Sequence, residues 1–377
     1  MSVDVSSARA RRLAPALALF AFVACKSREE AAPAAAANTS ASERALAAKK
    51  LEIPRDQVVA ASTHLRFVDV GQGQVVGGVD IGRAITDLAF SRDGLTAYVA
   101  ASDGVRAVDL ASRQVTAKLT GSPARQLTLS TDGRTLSVLE HDVLVDASGK
   151  RTPTPYRLER LTLGEGGAPA TKRDTLPIGE RVLGVVGPDD GLWSMVMFET
   201  GEVRLVPPGR PLSDEGQAID VARDLGGKRF VVRPYVALDA ARTAIFVPVE
   251  GEPSRVVRID RATGRTRSYG LGRATILRGV AVSPDASRLY VSTSDKLVAL
   301  DAASGEPQGE LELEGAHTGL ALSADGRRAY LAQTVFEQSG AITAVQLEPL
   351  RRVGRIVTDD LSPWVLGVVP RAELAAR

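Results

Sequence analysis

Short apolar runs, each three to six residues long and separated by polar turn-forming clusters, recur along the chain from residue 57 to residue 370. The stretch VAVSPDASRLYVSTSDKLVALDAASGEPQGELELEG at 280–315 shows the unit most clearly. Val280-Ala281-Val282 predicts a strand, and Ser283-Pro284-Asp285 supplies an Asx-type turn, because a short polar side chain can satisfy the backbone N–H groups of a reversal. Leu289-Tyr290-Val291 returns as a second strand, and Ser294-Asp295 turns again. Leu297 to Leu300 runs back as a third, and Asp301 to Gly305 forms the next turn. GELELEG at 309–315 alternates apolar and charged residues, as an edge strand with one wet face should.

The unit repeats. LAFSRDGLTAYVAASDGVRAVDLAS at 88–112 aligns without a gap on VAVSPDASRLYVSTSDKLVALDAAS at 280–304, every position offset by 192. The frame returns at 320–333 and 127–140, and more loosely at 185–198 and 236–249. The turn aspartates Asp93, Asp132, Asp189, Asp239, Asp285 and Asp325 are spaced by 39, 57, 50, 46 and 40 residues. That period exceeds a helical hairpin repeat of 33–34 and fits four short strands with their turns. A four-stranded blade buries little alone, so neighbours must stack and the series must close on itself. Residues 57–82 carry a second, third and fourth strand without a first, and Pro363 to Val369 supplies a first strand with nothing after it. Joined, they complete a ring. First strands near 86, 126, 183, 234, 278, 318 and 365 predict an all-β, seven-bladed β-propeller of four-stranded antiparallel blades.

The Ser-x-Asp-Gly...Tyr-Val core with its following apolar strand ending in Asp resembles the YVTN-type β-propeller repeat proteins, over residues 55–370. The Trp-Asp dipeptide of WD40 repeats is absent. The Asp-x-x-Ser/Thr-Gly turns at 301–305 and 260–264 also resemble quinone-type propeller repeats, without the tryptophan that staples those blades.

Ahead of the repeats, Arg9, Arg11 and Arg12 precede the apolar stretch Leu13 to Ala24, which ends at Cys25 and gives way to Lys26-Ser27-Arg28. This is a secretory signal layout. Twelve residues at ~1.5 Å each reach only ~18 Å of a ~30 Å hydrocarbon core, too short for a span. Phe22-Val23-Ala24-Cys25 resembles the lipobox of bacterial lipoproteins, with Phe22 where Leu is usual. The resemblance implies cleavage after Ala24, a lipid on Cys25, and, with Lys at position 26, an outer-membrane destination facing the periplasm or the cell surface. Residues 26–50, Ala-rich and without hydrophobic periodicity, read as a tether. The expected organisation is a signal peptide at 1–24, the lipidated cysteine and tether at 25–50, the propeller at 51–370 and a tail at 371–377. Cys25 is the single cysteine, so no disulfide forms within the chain.

Charge narrows the partners. Removing three arginines and one aspartate with the leader from 47 basic and 45 acidic residues leaves 44 of each, a neutral body with no bulk attraction for nucleic acid. The repeated aspartates stand at one turn position in several blades, so they read as structural. His64, His141 and His317 are far apart, and no HExxH or paired CxxC spacing exists, so no metal is expected. Glu140-His141-Asp142 on a strand would point its carboxylates one way and its imidazole the other. There is no GxSxG elbow and no phosphate loop, and no cofactor is expected.

In propellers the segments leading into first strands converge on one mouth of the central channel. Here they carry Arg83, Arg125, Arg181, Arg233, Arg278, His317 and Trp364, a set rich in guanidinium that would suit a carboxylate or phosphate. The sequence therefore predicts a non-catalytic, lipid-anchored binding or scaffold module for an envelope protein or a small anionic ligand. The alternative is a hydrolase that resembles the propeller lactonases, with His317, Arg278 and Glu180 as its channel residues.

Overall fold

The computed structural model describes residues 57–370 apart from 142, 146–150, 154–155, 165–168, 179–181, 188–192, 198–199, 208–209, 213–215, 224–229, 233–234, 274, 335–339, 359–362 and 364. The leader, Cys25 and the tether lie outside the described residues, as does the tail at 371–377.

Seven antiparallel sheets follow one another around a ring. Blade 1 is built from Gln57–Ala61, His64–Asp69 and Gln74–Asp80. Its first strand is Val365–Val368, which pairs with Gln57–Ala61 in the register Val58 opposite Val368 and Ala61 opposite Val365. Blade 2 comprises Ile85–Phe90, Thr96–Ala101, Gly104–Asp109 and Gln114–Lys118. Blade 3 comprises Ala124–Leu129, Thr135–Glu140, Arg157–Leu163 and Pro169–Pro177, with a small hairpin, Val143–Val145 and Arg151–Pro153, inserted between its second and third strands. That hairpin accounts for the long spacing from Asp132 to Asp189. Blade 4 runs Val182–Val186, Trp193–Met197, Glu202–Val206 and Gln217–Asp220. Blade 6 is Leu277–Val282, Arg288–Thr293, Lys296–Asp301 and Pro307–Glu312, and blade 7 is Ala316–Leu322, Arg328–Thr334, Ala341–Leu347 and Leu350–Val357.

Blade 5 departs from the expected pattern. Its first strand is two short pieces, Val231–Val232 and Ala237–Leu238, both paired with Ala244–Glu250; Arg255–Asp260 and Thr266–Gly270 complete the blade. Pro234, which has no N–H to donate to a ladder, falls between the pieces in sequence.

The second strands are buried on both faces, as in Thr96–Ala101 and Trp193–Met197, because each is sandwiched between neighbouring blades. Outer strands such as Gln114–Lys118 and Pro307–Glu312 stay largely exposed and carry charge, which blunts the edge against association. Among the described residues the buried apolar side chains form seven clusters, one at each seam. The tyrosine of the repeat supplies the seams directly. Tyr98 packs between blades 2 and 3, Tyr290 between 6 and 7, and Tyr330 between 7 and 1, each almost fully buried. Burying one such side chain stabilises by about 1.5–3 kcal/mol.

The repeated turn explains its aspartate. The Ser91 hydroxyl donates to Asp93 Oδ1 at 2.6 Å, the Leu95 N–H donates to the same oxygen at 3.0 Å, and the Thr96 N–H donates to Ser91 Oγ at 2.9 Å. The same hydroxyl-to-carboxylate bond recurs from Ser130 to Asp132, Ser283 to Asp285 and Ser323 to Asp325. At Asp285 the Ser283 hydroxyl, helped by the Ser287 N–H and hydroxyl, lowers the carboxyl to about 2. At Asp132 the Ser130 hydroxyl and the Arg134 N–H likewise hold the carboxyl below its usual range.

Candidate functional site

The first strands of all seven blades adjoin one another and line a cavity of ≈ 310 Å³. How each strand presents its residues follows from a shared irregularity. In blades 2, 3, 4, 6 and 7 the pairing of first and second strands slips by one residue: Ile85 faces Ala101 but Asp87 faces Ala100, and likewise around Arg125, Leu183, Arg278 and Thr318. A β-bulge re-aims the side chain it contains. The five bulged residues, Thr86, Arg125, Leu183, Arg278 and Thr318, all line the cavity. Tyr235 and Val236, between the two pieces of the blade 5 strand, and Val365 and Leu366 of blade 1 complete the circle.

The bulge position does two jobs. Threonine there ties the ring together: Thr86 Oγ1 donates to the Ala124 carbonyl at 2.7 Å, and Thr318 Oγ1 to the Pro363 carbonyl at 2.8 Å. Arginine there charges the cavity. Arg125 Nη1 donates to the Tyr156 hydroxyl at 2.6 Å, and its guanidinium lies 5.9 Å from that ring's centre. Arg278 is half-buried, and its Nε is buried with no hydrogen-bond partner among the described residues.

One position further on stands Asp87, the only carboxyl among the lining residues. Burial raises it to about 6, against two backbone N–H groups that lower it. Leu88 donates to Oδ1 and Leu127 to Oδ2, each at 2.8 Å. Asp87 keeps some surface toward the cavity but is otherwise enclosed by protein, so the desolvation outweighs the two bonds.

The sequence-predicted mouth residues are distributed as follows. Arg125 and Arg278 share the cavity. Arg83 is exposed, outside the lining, with Nε 3.7 Å from Asp103 Oδ2. His317 sits one residue before the bulge, in register with Ile85, Ala124, Val182 and Leu277, and that register points into the seam. It is fully buried opposite Gln333, and neither ring nitrogen has a well-formed hydrogen bond among the described residues. Burial lowers its pKa to about 4, offset weakly by the Gly315 carbonyl, so the ring is neutral at neutral pH. Arg181, Arg233 and Trp364, and Glu180 with them, lie outside the described residues. Sequence reasoning missed Asp87, Leu183 and Tyr235. The gapless offset of 192 carried the signal for the first, since extending it two residues upstream pairs Thr86 with Arg278 and places Asp87 where the twin has Gly279.

A larger cavity of ≈ 540 Å³ lies at the seam of blades 6 and 7, lined by the turn residues Ser283, Asp285 and Asp325 with Arg288, Arg327, Arg328 and Glu348. Three carboxylates face three guanidinium groups there, and Arg288 Nε is 3.0 Å from Glu348 Oε1. Asp285 and Asp325 there are held by the serine hydroxyls and backbone N–H groups of their own turns.

Comparison with known proteins bears on the fold. No family model matches the chain, and no curated protein matches its sequence. Solved structures do. A functionally unknown protein from Desulfotomaculum acetoxidans is 13% identical with a TM-score of 0.60, covering 84% of this chain and 98% of that one. Apo AztD from Citrobacter koseri is 13% identical at 0.57, over 84% and 98%. The dihydro-heme d1 dehydrogenase NirN is 16% identical at 0.57, over 85% and 77%. The likeness is one of fold. At such identities it carries the seven-bladed architecture and no residue roles.

Proposed function

We propose that this chain is a non-catalytic binding module of the cell envelope, anchored by a lipid on Cys25 and presenting its propeller on a tether. The observation that carries the reading is the axial cavity: every blade contributes to it, and it holds a guanidinium, Arg278, whose buried Nε lacks a partner among the described residues. Convergent polar groups in a concave pocket that also offers apolar wall are a usual form of small-ligand site. The placement of His317 counts against its acting as the base of a lactonase-like hydrolase, since a general base must reach the reacting proton and this ring is sealed in a seam outside the cavity lining. The leader supports the anchor, because each buried methylene of an acyl chain contributes about 0.8 kcal/mol.

Two measurements test the parts separately. A Cys25→Ala chain expressed in cells fed radioactive palmitate should lose its label and leave the membrane fraction; a chain that stays labelled contradicts the anchor. Native mass spectrometry of the purified protein, with crosslinking in intact cells, should recover a bound small molecule or an envelope partner. A chain that is unliganded and uncrosslinked contradicts the binding reading.

A further inference from the structure

The wall of the axial cavity specifies its occupant, an inference that rests on the binding reading above. About half of the wall is apolar, with Leu183, Val236, Val280, Leu320 and Leu366 around Tyr235, and Thr86, Gln126 and Thr318 add neutral polar groups. Three charged side chains interrupt it, and two are already engaged. Both Asp87 oxygens accept backbone N–H groups, from Leu88 and Leu127, and Arg125 holds the Tyr156 hydroxyl. Arg278 is left. A guanidinium remains protonated at any ordinary pH and presents its donors in a fork that matches a carboxylate. The Arg278 guanidinium makes no hydrogen bond to another described residue, and a ligand's carboxylate can supply the missing acceptor.

Size narrows the choice further. A volume of ≈ 310 Å³ admits one ring or a short chain with its head group. A dianion with no apolar body would leave the apolar half of the wall unfilled and would meet Asp87 with twice the like charge of a monocarboxylate. We propose that the axial cavity binds a small monocarboxylic acid with an apolar body, its carboxylate on Arg278 and its body against the leucine and valine wall.

The test is titration calorimetry of the propeller-bearing chain with benzoate, benzamide and inorganic phosphate as probes, in the wild type and in Arg278→Met, Arg278→Lys and, as a control outside the cavity lining, Arg83→Met. Benzoate is expected to bind one to one, benzamide and phosphate at least about tenfold more weakly, because a charge-assisted hydrogen bond contributes about 1.5–3 kcal/mol. Arg278→Met should lose about tenfold or more for benzoate and Arg278→Lys should recover part of that, while Arg83→Met stays within a few-fold. Circular dichroism melting of each variant shows that the ring is folded; Arg278→Lys carries the comparison if Arg278→Met is not. Benzamide or phosphate binding as tightly as benzoate overturns the proposal. So does unchanged benzoate affinity in both Arg278 variants, or no benzoate binding to the wild type. In the last case a ligand or partner recovered from cells would show that the wider binding reading stands without this ligand class.

Discussion

Asp87 Oδ2 accepts the backbone N–H of Leu127 at 2.8 Å, across the seam from blade 2 to blade 3. One blade on, Gln126 Oε1 accepts the backbone N–H of Val185 at 2.7 Å, from the same position after the bulge to the same position in the neighbour. The two bonds are one device used twice, and blades 4, 6 and 7, with Gly184, Gly279 and Gly319 at that position, do without it. Asp87 is thus a seam residue first. The price is a carboxylate held where ionisation is costly.

That cost has a pH signature with a defined sign. Asp87 titrates at about 6 in the fold and near 3.8 in its absence, so between these values the native chain holds a proton that the unfolded chain has released. Stability therefore falls as pH rises from about 4 to 6, by an amount on the order of 1–3 kcal/mol. His317 acts oppositely: at about 4 in the fold against 6.5, it makes stability rise over the same window. The wild type should be nearly flat there with respect to this pair. Asp87→Asn should expose the rising slope and His317→Gln the falling one, read from denaturant midpoints at half-unit pH steps. Parallel profiles for the two variants would contradict these assignments.

The turn of blade 6 has alanine in the left-handed position, Ala286 at φ 58°, where Gly94, Gly133 and Gly326 stand in the turns of blades 2, 3 and 7 and Arg242 in that of blade 5. Ala286→Gly relieves backbone strain of about 1–2 kcal/mol and gives back some unfolded-state entropy, so the net gain is about 0.5–1 kcal/mol. Gly326→Ala should destabilise by more than about 1 kcal/mol, since φ is 68° and a new Cβ would lie 2.7 Å from Pro284 Cδ. Thermal melting of both variants checks the opposite signs.

Ring closure makes a third prediction. Val365–Val368 fills the gap between the first strands of blades 7 and 2 while pairing with Gln57–Ala61. Ending the chain after Pro363 uncovers Val59, Ala61 and Ile85 and removes Val369 from the first seam. The melting temperature should fall by roughly 10 °C or more, with loss of a single cooperative transition. An unchanged melt would mean that the ring does not depend on this latch.

The fold was legible because its determinants are local and repeated. Ser283-Pro284-Asp285 and its twin Ser91-Arg92-Asp93 encode a turn by hydrogen bonds within five residues, and the apolar runs beside them encode strands buried on both faces. The offset of 192 and the orphan strands at the two ends then gave the ring. The site was legible only in part, because a strand's register decides which side chain meets the axis. Arg83 and His317 are correct in neighbourhood and off by three residues and one residue from the bulge. The bulge moves Thr86, Arg125, Leu183, Arg278 and Thr318 onto the cavity, and no composition rule marks it. The hairpin within blade 3 and the split strand of blade 5 likewise fall where the repeat is weakest.

If the axial cavity is the ligand site, Arg278 anchors the ligand there. The most direct measurement is the anomalous scattering of crystals soaked with 4-iodobenzoate. An iodine peak is expected on the ring axis among Leu183, Val280 and Leu366, with the carboxylate within hydrogen-bonding distance of Arg278. Iodine found only in the groove between blades 6 and 7, or on the outer surface, with the axial cavity holding solvent alone, would contradict it.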